Sequence, residues 1–137
     1  MNNILIVHTS WYTEYIDSMI QTSSEILSEA AYSMDLAKAP GAIELAALAK
    51  NKICNNQEKY IGVLFLGIVM RGETSHYELV TNETFRSIGA LAIDYPNISF
   101  INNVICVENK EQLLKRMLIN TKNNTTALVQ LINEKSS

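Results

Sequence analysis

Apolar residues recur along this chain in two rhythms that take turns. Short runs, ILIVH at 4–8 and IGVLFLGIV at 61–69, predict buried-type strands. Longer stretches between them carry apolar residues three or four apart. From 14 to 31, Ile16, Met19, Ile20, Leu27 and Ala30 form one helical face. The run 61–69 is the most apolar and is predicted to be central. Residues 32–38 (YSMDLAK) alternate through Tyr32, Met34 and Leu36, the pattern of an exposed or edge strand. Over 39–53, Pro40 and Gly41 precede an alanine- and leucine-rich helix. A helix is predicted over 77–94 with Val80, Ile88, Leu91 and Ala92 inward, then a strand over 97–107. Two helices, 108–118 and 125–135, close the chain.

Strand–helix alternation predicts an α/β fold: a four-stranded parallel sheet with helices on both faces, three layers in all, in one domain spanning 1–137. Ligands in such folds sit at the carboxyl ends of the strands. Four segments are predicted there: HTSWY (8–12), AKAPGAIE (37–44), VMRGETSH (69–76) and INNVIC (101–106).

Composition narrows the function. Net charge is −3 with no basic block, which disfavours nucleic acid and predicts that any bound anion is small. The start lacks a secretory pattern, and the longest apolar stretch, 61–70, is about half a membrane span. Cys54 and Cys106 have no metal-ligand spacing and read as reduced thiols of a cytoplasmic protein.

Among the edge segments, RGETSHYE is the richest. Ser75 and Glu78 have capping-box spacing, so the cluster is explained if it only starts a helix. The same helix start would also aim backbone amides of Glu73, Thr74 and Ser75 at an anion, with Gly72 allowing close approach. His76 adds an imidazole, a residue type that can carry protons near neutrality. Both readings stand on these residues alone. Trp11, the single tryptophan, is either a core or contact residue or a platform for a flat heterocycle. Glu44 suits a helix dipole or a hydrogen-bonding ligand. Arg116 reads by default as a solvated helix charge.

Taken together, APGAIELAALAK, LGIVMRGETSHYELV and VENKEQLLKR resemble, in order, three motifs of the lumazine synthase family of riboflavin biosynthesis. The middle motif, close to that family's Gly-x-Val-Ile-Arg-Gly-x-Thr-x-His signature, is the most specific. The resemblance implies a flavodoxin-like fold and a homopentamer with active sites at subunit interfaces. It implies condensation of 5-amino-6-(D-ribitylamino)uracil with 3,4-dihydroxy-2-butanone 4-phosphate to 6,7-dimethyl-8-ribityllumazine, phosphate and water, with no metal or organic cofactor.

Position by position, the resemblance implies that Trp11 stacks on the pyrimidine and that Ala42, Ile43 and Glu44 bind the ribityl chain. Val69 and Met70 line the ring pocket. Gly72, Glu73 and Thr74 form the phosphate loop, and His76 is the acid/base. Asn102 and Arg116 come from the neighbouring subunit, Arg116 toward the phosphate. Ser10 stands where the family has arginine, and the shifted spacing there leaves Tyr12 as an alternative stacking residue. INTKNNTT (119–126) replaces a glycine- and lysine-rich segment, so Lys122 matches only its first lysine. The short N-terminus, with three residues before the first strand, favours a free pentamer over a larger shell. Rival readings are a non-catalytic flavin-binding module of the same fold and an idle assembling paralogue. A signalling receiver domain is excluded, because the acidic positions it needs hold His8–Thr9 and Met70–Arg71.

Overall fold

The computed structural model describes residues 2–137. Four strands, β1 (Asn3–Thr9), β2 (Ser33–Ala39), β3 (Tyr60–Met70) and β4 (Ser99–Val107), alternate with four helices, α1 (Thr13–Glu29), α2 (Leu45–Asn55), α3 (Tyr77–Asp94) and α4 (Lys110–Lys135). All strand pairs are parallel, in the order β2-β1-β3-β4. The architecture is the predicted three-layer, flavodoxin-like α/β sandwich.

Side-chain alternation along the strands divides the core into two layers. Ile4, Ile6, Leu64, Leu66 and Ile105 meet α1 and α4 through Ile16, Met19, Leu113 and Leu128. Leu5, Val7, Val63, Phe65 and Val104 meet α2 and α3 through Leu45, Ala49, Ile88 and Leu91. Within β3 all residues except Ile61 are buried, as a central strand requires, and β2 lies at an edge with Ser33, Leu36 and Lys38 exposed. Gly62 lets α4 approach β3. A Cβ there would lie 2.9 Å from Ile4 Cδ1 and 3.1 Å from Ile132 Cδ1.

The largest departure from the predicted elements is at the C-terminus. The expected break between 118 and 125 does not exist, and α4 runs unbroken for 26 residues. Its polar stretch is helical because its hydroxyls are satisfied internally. Thr121 and Thr125 are fully buried and donate to the carbonyls of Met117 and Thr121, each at 2.6 Å. Asn103 of β4 donates to Thr121 Oγ1 at 2.8 Å and accepts from Asn124 at 2.7 Å. A polar ladder therefore fastens the middle of α4 to β4 where apolar periodicity lapses.

The capping box predicted at Ser75 is also absent. His76 holds the N-cap position of α3 without a side-chain capping bond. The carboxylate of Glu78 is drawn to Arg71 instead. Charge attraction to a guanidinium outweighs a hydrogen bond to a neutral amide.

Candidate active site

Strand length creates the principal cavity. At the carboxyl edge β1 stops at Thr9, and the last β3 residue beside it is Leu66, opposite His8. β3 continues to Met70 alongside β4. Its last residues, Ile68, Val69 and Met70, therefore stand as a wall above the end of β1. The chain leaving β1 closes the cavity with Trp11 and Tyr12. The chain leaving β2 adds Gly41, Ala42, Ile43 and Glu44. Glu73 and Thr74 come from the turn after β3, and Val80 from the first turns of α3. The cavity is partly open to solvent, with a volume of about 410 Å³.

Local chemistry explains how each segment is held. Ser10 Oγ donates to the Ala39 carbonyl at 2.8 Å, tying the exit of β1 to the end of β2. Tyr12 has φ 58°, in the left-handed region, and its carbonyl accepts from Tyr15 and Ile16 to start α1. That strained residue places an aromatic ring in the wall beside Trp11. Trp11 itself is 68% exposed, so its indole lies along the cavity rim. Residues Ala42–Glu44 form a 3-10 turn ahead of α2. Gly41 leaves room for the Glu44 carboxylate, whose Oε1 lies 3.1 Å from where a glycine Cβ would be.

The lining is mostly apolar and aromatic, with Thr74 and two carboxylates, Glu44 and Glu73. No lysine, arginine or histidine lines it among the described residues. The Tyr12 phenol is pushed above its ordinary pKa, first by burial and then by the Glu73 carboxylate.

Eight of the twelve residues assigned to the site from the sequence line this one cavity: Trp11, Ala42, Ile43, Glu44, Val69, Met70, Glu73 and Thr74, and so does Tyr12, the alternative to Trp11. Four do not. Gly72 is exposed in the turn beside it, and His76 is exposed at the head of α3. Asn102 lies inside β4 opposite Phe65, and its Oδ1 accepts from Val104 N at 2.9 Å. INNVIC is thus mid-strand; the carboxyl end of β4 is Val107. Arg116 is exposed on α4 and forms no salt bridge among the described residues. Tyr12, Gly41, Ile68 and Val80 complete the lining. Of these, Ile68 was legible as a strand-end residue next to Val69 and Val80 as the first inward position of its helix.

The sequence model for 6,7-dimethyl-8-ribityllumazine synthase matches residues 2–135. The chain belongs to the lumazine synthase family. Among similar proteins, the 6,7-dimethyl-8-ribityllumazine synthase of Agrobacterium fabrum is 33% identical over 118 residues, covering 84% of this chain and 79% of that protein. That of Novosphingobium aromaticivorans is 34% identical over 85% of this chain and 81% of its own. That of Sphingopyxis alaskensis is 35% identical over 85% and 79%. The family is one of enzymes, and the cavity lies at the carboxyl edge of the sheet, where parallel α/β folds in general bind ligands. Among the described residues, no helix is long and apolar enough to cross a membrane.

Proposed function

We propose that this chain is a lumazine synthase that condenses 5-amino-6-(D-ribitylamino)uracil with 3,4-dihydroxy-2-butanone 4-phosphate, giving 6,7-dimethyl-8-ribityllumazine, phosphate and water. One observation carries the reading. Two of the three family-like motifs, those around 39–50 and 66–80, border one cavity together with Trp11, and its walls suit a flat ring while its carboxylates suit a polyol. Trp11 or Tyr12 stacks on the pyrimidine. Ala42, Ile43 and Glu44 take the ribityl chain. Val69 and Met70 pack against the ring, and Gly72, Glu73 and Thr74 border the phosphate.

Charge supports a shared site. A phosphate ester does not bind beside two carboxylates without a counter-charge. The lining side chains of one chain supply none among the described residues, while Arg116 is exposed and without a salt bridge. By the family resemblance, Arg116 and Asn102 are assigned to the cavity of a neighbouring copy in a homopentamer, and the exposure of Arg116 is compatible with that role. Exposed Leu79, Ile93, Leu114 and Ile119 are apolar surface for such association. Cys54 and Cys106 stand as free thiols, which supports a cytoplasmic setting.

The reaction asks for proton movement and pairing. The primary amine attacks the ketone, and water leaves to give an imine. Elimination then expels phosphate, and the second amine closes the ring with loss of water. His76, at the head of α3 beside the phosphate turn, carries protons in these steps. Holding the two substrates together can supply roughly 7–11 kcal/mol, so no single proton carrier dominates. The test is to mix purified protein with both substrates and follow lumazine absorbance and fluorescence beside the uncatalysed reaction. Product formed clearly faster than background is expected. A rate equal to background from folded protein that still binds the pyrimidine would overturn the reading in favour of a non-catalytic binding module.

A further inference from the structure

Arg71 opens the turn that borders the cavity, yet two of its guanidinium nitrogens are engaged by carboxylates outside the cavity. Its Nε donates to both carboxylate oxygens of Glu108, at 3.0 and 2.8 Å, and a terminal nitrogen pairs with Glu78. The group also stacks on Tyr77, 4.3 Å from the ring centre. These partners lie on different elements. Arg71 follows β3, Tyr77 and Glu78 begin α3, and Glu108 follows β4. Glu108 is fixed in turn: its backbone N–H donates to Gln112 Oε1 at 2.8 Å, and Gln112 N donates to Asn109 Oδ1 at 2.9 Å. The chain 72–76 between the anchored ends has one other side-chain hydrogen bond among the described residues, from His76 N to Thr74 Oγ1 at 3.2 Å. All of 71–76 except Thr74 is exposed, so apolar packing does little to hold it.

We propose that Arg71 is a positioning residue: a clamp that closes the 71–78 turn on itself, ties it to the start of α4, and so sets where Gly72, Glu73 and Thr74 stand at the cavity. The kinetic consequence rests on the function proposed above; the clamp itself does not. A planar fork with two carboxylate partners and an aromatic face fixes orientation as well as distance, which a lysine does not do.

The two acids give the test its discrimination. If Arg71 were itself the anion ligand, neutralising Glu78 and Glu108 would free it and leave anion binding intact or tighter. If it is a clamp, removing its partners damages the site as removing Arg71 does. Three full-length variants are compared with the parent: Arg71→Gln, Arg71→Lys and the double variant Glu78→Gln/Glu108→Gln. Amide hydrogen exchange is read over 71–76, and steady-state kinetics are measured with each substrate varied.

Arg71→Gln and the double variant are both expected to speed exchange over 71–76 while the strands keep their protection. Both are expected to raise KM for the phosphate-bearing substrate about tenfold or more, with a much smaller change for the pyrimidine. Arg71→Lys should fall between them and the parent. Unchanged exchange over 71–76 in Arg71→Gln would overturn the clamp. So would a double variant with unchanged or lower KM beside an impaired Arg71→Gln. Should the parent protein not exceed the background rate, the proposed function fails and exchange alone decides the clamp.

Discussion

Single residues divide into those the fold depends on and those it does not. His76 is exposed and none of its ring atoms forms a hydrogen bond among the described residues, so its removal leaves packing intact. His76→Ala is expected to fold normally and to turn over more slowly, yet measurably above background; complete loss in a folded variant would make it indispensable. Trp11, largely exposed, likewise does little for the core. Trp11→Ala should leave the unfolding midpoint nearly unchanged while weakening pyrimidine binding, measured by titration of the protein with the pyrimidine. Undiminished binding would assign the stacking role to Tyr12. Most of the cavity lining was legible in the sequence because each residue sits next to a strand end. Tyr12 was legible only as an alternative, since a left-handed φ at a tyrosine leaves no mark in residue type. The Arg71 clamp was not legible. Its partners lie 7 and 37 positions away, and the Glu78 spacing mimicked a capping box.

Elements were read well where apolar periodicity was strong and poorly where polar groups replaced it. The strands β1 and β3 and most of the buried faces of α1 and α3 follow from spacing; in α1, however, Ala30 is exposed beyond the helix end and Ser23 is buried instead, its hydroxyl donating to the Met19 carbonyl. The middle of α4 did not, because Thr121, Asn124 and Thr125 look like loop residues until Asn103 and the helix carbonyls are there to satisfy them. Asn103→Leu should therefore destabilise the fold by about 1–3 kcal/mol, since it strips partners from buried polar groups. Denaturant unfolding reads this directly, and an unchanged midpoint would mean water replaces the ladder. At the sheet's opposite edge, hydrogen bonds from Lys59 and Tyr60 hold the Asp35 carboxyl below its ordinary value near 3.8. Burial, then the bond to Asp35, pushes the Tyr60 phenol up to about 12. The signs differ. The Asp35 contribution is present above its ordinary pKa and fades as pH falls through the lowered one. The Tyr60 contribution is present below 10 and is lost as pH rises through about 12. Denaturation midpoints against pH for Asp35→Asn should converge with the parent on the acid side; parallel curves would exclude this linkage.

For the whole molecule, the proposed shared site makes Arg116 of one chain complete the cavity of another, whose lining holds no cation among the described residues. Arg116→Ala is expected to raise KM for the phosphate-bearing substrate with little effect on stability. Mixed after dissociation and reassembly with Trp11→Ala subunits, it should regain part of the activity, because some interfaces then join an intact pocket to an intact arginine. No recovery in verified mixed assemblies would confine each site to one chain.

The strand order carries a consequence for how this chain is made. β1 is the first strand to leave the ribosome, yet it lies inside the sheet, with β2 on one side and β3 on the other. Until residues 60–66 have emerged, one flank of β1 offers unpaired amides and carbonyls, with Ile4, Leu5, Ile6 and Val7 still lacking much of their cover. A parallel neighbour cannot be reached by a tight hairpin, so the growing chain must carry that open flank until the whole of α1, β2 and α2 has followed it. During that interval the growing polypeptide is most vulnerable to joining another chain instead of itself. Whatever pairs with or shields that flank before β3 arrives competes directly with the native sheet.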